Sequence, residues 1–326
     1  MTPRTATFDL VDTSEVKHAL NRRQDLIADG ALERKVMVVV NGKGGVGKSS
    51  LSAALAVAWA KIGLRVLLIE MDEQGNNGED LGFTGTPLAD DGAAQAAAIL
   101  EGKPLTPTGE ARPGLHVVPG GEALEEIVEE LYCQRRAAKA AADLTDQTAW
   151  MGMYAAAIDA VRDDYDVIIL DVAPGSEVLQ LQALVAGDNV LIPSRSDPSS
   201  RKGLRTVARR FTRAREINGM LQLLGVVVFG INSSATKVQQ NIKDILAQDL
   251  QGAAPVFDQI IRHVEAAAVE CRATGKVPQE MQKAKDVDPA LRRSIKGLAT
   301  DYQSLAIETM QRMAELRQAD EREDEE

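Results

Sequence analysis

Short apolar runs alternate with stretches of helical spacing along most of the chain. The runs cover residues 36–40, 66–69, 115–118, 167–170, 190–192, 223–229 and 256–261. Most are rich in β-branched residues and lack polar alternation, as expected of strands buried on both faces of a parallel sheet. Residues 49–61, 151–162 and 199–217 carry apolar positions at helical spacing between them. Strand-then-helix repetition predicts an α/β fold: a doubly wound, mostly parallel sheet with helices on both faces. No internal repeat and no linker rich in Pro, Gly or Ser interrupts it, so one main domain is expected.

The two ends read differently. Residues 1–35 hold six basic and six acidic residues, with Ser14 placed to cap a helix through Val16, Leu20, Leu26 and Ile27 that ends near Gly30. This extension reads either as an exposed helix or as a dimerisation or regulatory arm. Towards the other end Asp288-Pro289 looks like a cap and first helical turn, followed by Leu291, Ile295, Leu298, Tyr302, Leu305 and Met313 at helical spacing. Acids then dominate. The expected division is an N-terminal helical extension over 1–35, the main domain over 36–317 and an acidic tail over 318–326.

Composition narrows the function classes. Of 326 residues, 44% are hydrophobic, enough for a sizeable core and against global disorder. No run approaches the roughly 18 apolar residues of a membrane span, and the first residues lack a signal-peptide core. Cys133 and Cys271 stand alone, so no disulfide framework, zinc knuckle or CxxC pair is available. A cytoplasmic protein is expected. Aromatics at 3% argue against a base-stacking reader of single strands. The formal charge of −11 argues against a chain that is basic throughout, but leaves room for a local basic patch.

Chemistry concentrates after the first apolar run. Asn41-Gly42-Lys43-Gly44-Gly45-Val46-Gly47-Lys48-Ser49-Ser50 fits the P-loop pattern G-x-x-x-x-G-K-S/T and precedes an apolar helical run. Glycines let successive backbone N–H groups converge on phosphate oxygens, and the following helix adds its positive end. Lys48 then faces the β- and γ-phosphates, and the Ser49 hydroxyl binds Mg²⁺. A P-loop NTPase also needs a carboxylate at the end of a neighbouring strand for the metal. Asp171, closing the run 167–170 before the Pro174-Gly175 turn, supplies it.

Lys43 distinguishes this loop. With Lys48 it resembles the deviant Walker A motif K-G-G-x-G-K-S/T of the ParA and MinD family of ATPases. After the run 66–69, Glu70-Met71-Asp72-Glu73-Gln74-Gly75-Asn76-Asn77 is similar to the D-x-D-P-Q-G-N segment of ParA-type partition proteins. The resemblance implies an ATP hydrolase using ATP and Mg²⁺. In it Lys43 reaches the partner's phosphates across an ATP-bound homodimer, Asp72 positions the attacking water, and Lys48 completes the catalytic set. Ser49, Asp72 and Asp171 form the magnesium set. Gly42, Lys43, Gly44, Gly45, Val46, Gly47, Lys48, Ser49 and Ser50 hold the nucleotide, with Asn232, Arg262 and Val264 around adenine. Departures are Glu70 for the first Asp of that segment, Glu73 for its Pro, and Val172-Ala173 after Asp171.

Relatives with iron–sulfur clusters need cysteine pairs, and membrane-anchored ones a basic amphipathic end; this chain has neither. The resemblance therefore points to a partition ATPase that dimerises or forms higher polymers on ATP. It would bind double-stranded DNA nonspecifically, associate with the nucleoid and respond to a ParB-like partner. The alternative is an ATP-switched ATPase that positions protein cargo without DNA. Eight basic residues and one acid lie between Arg195 and Arg215. At about 100° per residue, Arg201, Lys202, Arg205, Arg209, Arg210 and Arg213 share one helix face, opposite Leu204, Val207, Ala208, Phe211 and Ala214. Arg201, Lys202, Arg205, Arg209 and Arg213, with Lys237, are the DNA-contact candidates. His18, His116 and His263 show no ligand spacing.

Overall fold

In the computed structural model, residues 10–195, 197–231, 240–246, 255–284 and 286–323 are described. The apolar runs become strands: β1 (Val36–Val39), β2 (Val66–Met71), β4 (Leu115–Val118), β5 (Val167–Val172), β6 (Asn189–Arg195), β7 (Gln222–Ile231) and β8 (Val256–Arg262). An eighth strand, β3 (Gly109–Arg112), lies at one edge and pairs antiparallel with β4. The sheet order is β3-β4-β2-β5-β1-β6-β7-β8, and all pairs except β3 with β4 are parallel.

Both faces are covered, which is why the strands need no polar alternation. Along β1, Val36 and Val38 join the cluster that holds Trp150, Tyr154 and Leu184, whereas Met37 and Val39 join the one with Leu51, Trp59 and Leu305. The first layer includes α1 (Ser14–Ala28), α5 (Leu124–Ala138), α7 (Met153–Asp159), α8 (Glu177–Ala186) and α9 (Pro198–Arg215). The second includes α2 (Lys48–Lys61), α10 (Glu265–Ala273), α11 (Pro278–Met281) and α12 (Pro289–Glu323). Among the remaining helices are α3 (Asn76–Leu81), α4 (Ala93–Glu101) and α6 (Leu144–Thr148). No described helix is long and apolar enough to cross a membrane.

The single helix predicted over 151–162 is broken. A 3₁₀ turn over Ala149–Gly152 precedes α7, and a second covers Arg162–Asp164. Gly152 sits directly beneath Leu20 of α1, where a Cβ would come within 2.5 Å of the Leu20 methyl. The close approach of α1 thus coincides with the break.

That approach is fixed by charge as well as packing. Asp188, fully buried before β6, accepts the Arg23 Nη2 of α1 at 3.1 Å and an Arg162 Nη2. It also accepts the backbone N–H of Lys35 and of Val36, each at 2.8 Å. Burial would push this carboxyl up, but the two guanidiniums and the Val36 N–H hold it below the usual carboxylate range. The helix of the N-terminal extension is consequently bonded into the sheet's first layer.

Candidate nucleotide site

The P-loop leaves the C-terminal end of β1, beside β5 and β6. Asn41 sets its first bend: the side chain donates to Pro193 O at 2.7 Å and accepts Lys43 N at 2.9 Å. Gly47 sits at φ +93°, and a Cβ there would lie 2.6 Å from the Phe229 ring, so only glycine satisfies both backbone and neighbour. Helix α2 begins at the next residue, Lys48, with its free N–H groups facing the loop.

Gly44, Gly45, Gly47, Lys48, Ser49, Ser50, Asp72 and the turn Ala173–Ser176 line one cavity of about 510 Å³. Glu73, Gln74, Asn76 and Arg272 close its other side. Val46, expected among the nucleotide residues, has its side chain in the interior, which leaves its backbone as the group available to a phosphate. Lys48 is buried, and burial lowers its ammonium's pKa against the opposing charges of Asp171 and Asp72.

Parallel pairing places Glu70 of β2 level with Asp171 of β5. Burial pushes Asp171 up to about 6, opposed chiefly by the Ser49 hydroxyl, Lys48 and Asn77. Burial, and then the charge of Asp171, pushes Glu70 up to about 8, even though it accepts Asn77 N at 2.8 Å and Gly120 N at 3.3 Å. Asn77 in turn donates its side-chain N–H to Asp171 Oδ2 at 2.8 Å. Among the described residues, Asp171 Oδ1 is buried with no hydrogen-bond partner. An orphaned carboxylate oxygen beside a buried lysine and a serine hydroxyl suits a hard cation such as Mg²⁺.

Lys43 does not face this cavity. Its Nζ pairs with Asp197 Oδ1 at 2.7 Å, immediately before α9. Helix α9 lies against the loop itself: a Cβ on Gly203 would meet Asn41 Oδ1 at 2.3 Å. Arg262 is clamped to α12, its Nε and Nη2 each 2.7 Å from Asp301. Val264 caps α10. Asn232, Lys237 and the Arg201 side chain fall outside the described residues. On α9, Lys202, Arg205 and Arg209 are exposed and form no ion pair among the described residues. Arg213 instead lies over Trp150, 5.8 Å from the ring centre, and near Glu177. Arg210 turns inward to Gln180. Leu204, Val207 and Ala214 are buried as the helical wheel predicts, but Ala208 is exposed.

Sequence reasoning did not reach Asp197, Gln180 or Arg272. For Gln180 a signal existed: polar glutamines at 180 and 182 within the otherwise apolar run of α8.

The AAA_31 family, described as an AAA domain, matches residues 34–223. The chromosome-partitioning ATPase Soj of Thermus thermophilus is 30% identical over 206 residues, spanning 63% of this chain and 72% of the relative. The chromosome partitioning protein ParA of Myxococcus xanthus is 30% identical over 253 residues, 74% of this chain and 80% of that protein. The chain belongs to this family of ParA- and Soj-type partition ATPases. Solved structures share the fold. Apo McdA of Cyanothece gives a TM-score of 0.60 at 18% identity, covering 82% of this chain and 99% of that one. Cobyrinic acid a,c-diamide synthase of Mycobacterium smegmatis, solved with ADP and magnesium, gives 0.56 at 23% identity, with coverage of 77% and 96%.

As a P-loop ATPase, this ParA-type protein uses ATP with magnesium. Phosphoryl transfer asks for positioning and charge neutralisation more than covalent help. Here Ser49 and the free oxygen of Asp171 are the groups that would hold the metal, which neutralises charge on the phosphates when bound. Lys48 and the N–H groups opening α2 face the same cavity.

Proposed function

We propose that this protein is a partition ATPase whose ATP-bound form dimerises, coats double-stranded DNA without sequence preference, and is released when a ParB-like partner stimulates hydrolysis. The observation that carries the reading is the exposed row Lys202, Arg205 and Arg209, without an ion pair among the described residues, on a helix seated directly on the P-loop. A cationic row in a chain of net charge −11 attracts phosphate by position, not by overall charge. In this reading Lys43 leaves Asp197 to reach the partner's phosphates, Asp72 orients the attacking water and Asn232 meets adenine. The test is DNA binding of the purified protein with ATP, with ADP and without nucleotide. Binding only with ATP, equal on unrelated sequences, is expected. No binding in any state would instead favour an ATP-switched protein that positions cargo without DNA.

A further inference from the structure

Gln180 stands in the middle of α8, fully buried. Both ends of its amide are engaged. Nε2 donates to the carbonyls of Ala173 at 2.8 Å, Pro174 at 3.1 Å and Asn41 at 3.4 Å. Oε1 accepts the Nη1 of Arg210 from α9. Ala173 and Pro174 follow β5 and its Asp171 and line the nucleotide cavity, while Asn41 opens the P-loop.

We propose that Gln180 is a positioning residue for ATP hydrolysis: it ties the turn after Asp171 to the entry of the P-loop, and Arg210 of α9 holds its amide in that orientation. A primary amide offers two N–H donors on one side and an acceptor on the other. The three carbonyls and the guanidinium all require the same orientation. A carboxylate at 180 keeps the Arg210 contact but sets an anion against three carbonyl oxygens. A thioether loses both sets of bonds. Reacting groups tolerate little displacement, and a shift of about 1 Å costs up to about a hundredfold in rate. The hydrogen bonds of Gln180 join the two walls whose separation matters here. A displacement of α9 therefore reaches the turn after Asp171 through one side chain, without any α9 residue entering the cavity.

The test is steady-state ATPase of the full chain without DNA, for wild type, Arg210→Met, Gln180→Glu, Gln180→Met and the double variant Arg210→Met/Gln180→Met. Arg210→Met is expected to lower kcat on the order of tenfold with KM within about twofold, and with a melting temperature near that of wild type. Gln180→Glu falls at least as far although it retains the arginine contact. The double variant is no slower than Gln180→Met, because both changes break one linkage. Wild-type kcat in Arg210→Met, a change confined to KM, or multiplicative losses in the double variant would each overturn the proposal. If the Gln180 variants do not fold, Arg210→Lys decides. Its single ammonium can still donate to Oε1, so recovery of part of the lost kcat supports the linkage and no recovery refutes it.

Discussion

Glu70 and Asp171 face each other across paired strands, and the pair makes pH a probe of the site. Glu70 titrates near 8 in the fold against about 4.5 when exposed, so its contribution to stability is complete below about 4.5 and is lost as pH rises towards 8. Asp171, pushed up to about 6, acts in the same direction over a lower range. The nucleotide-free protein is expected to melt at a lower temperature at pH 8 than at pH 5, and Glu70→Gln should shrink that difference. An unchanged difference in scanning calorimetry would remove Glu70 as its source. A second residue-scale prediction concerns Lys43. Its pair with Asp197 is partly exposed, at 33% and 38% of the two side chains, and pairs of that kind contribute about 0–1 kcal/mol. If Lys43 must leave to serve a partner, Asp197→Asn should lower the ATP concentration for half-maximal dimerisation by up to about fivefold. Light scattering during an ATP titration measures this. At this scale the P-loop and Asp171 were legible in the sequence, because their chemistry dictates both residue types and spacing. Asp197 and Gln180 were not: the contacts Lys43–Asp197 and Arg210–Gln180 span 154 and 30 residues, respectively.

Strands and helices were legible to the extent that burial shaped them. The runs buried on both faces carry an unmistakable apolar signature. The edge strand β3 reads Gly-Glu-Ala-Arg, with no β-branched or large apolar residue, and forms because β4 offers it a free edge. The break around Gly152 was hidden for the complementary reason, since it coincides with a packing contact to α1 that lies far away in the sequence. That docking supports a prediction. Asp188→Asn removes the fully buried carboxylate and leaves Arg23 and Arg162, each 3% exposed, with Asp159 as their remaining counter-charge. Loss of one member of a buried pair costs about 3–5 kcal/mol. Chemical denaturation should register that loss, whereas a cost below about 1 kcal/mol would mean that packing and the Arg23–Asp159 pair hold α1 without Asp188.

At the scale of the molecule, the sheet order sets β1 between β5 and β6, so the P-loop, the turn after Asp171 and the start of α9 emerge side by side. Sequence reasoning reached the doubly wound parallel sheet through the P-loop and the alternation of elements, but not this strand order. It could not foresee that α9 would turn Arg210 to Gln180 and lay the half-exposed Arg213 over Trp150. Among the described residues, Lys202, Arg205 and Arg209 are the cations of the proposed DNA surface that α9 leaves exposed without an ion pair. Replacing these three by Ala should reduce the slope of log K against log salt by roughly 2.7, at about 0.9 per phosphate contact. ATP turnover without DNA should be retained. Salt-dependent binding to two unrelated duplexes checks both the size of the change and its indifference to sequence.

The arrangement of aromatic residues gives the protein an optical property. It has two tryptophans. Trp59 is buried in α2, and its indole N–H donates to Ala306 O of α12, which fixes it in a rigid apolar setting. Trp150 is equally buried but lies under the guanidinium of Arg213 on α9. Both indoles should emit at the short wavelengths of buried rings, yet only Trp150 has a charged neighbour carried by α9. In a Trp59→Phe background, intrinsic fluorescence becomes a label-free gauge of where that helix sits. Its intensity should change as α9 shifts and lose that response in Arg213→Ala.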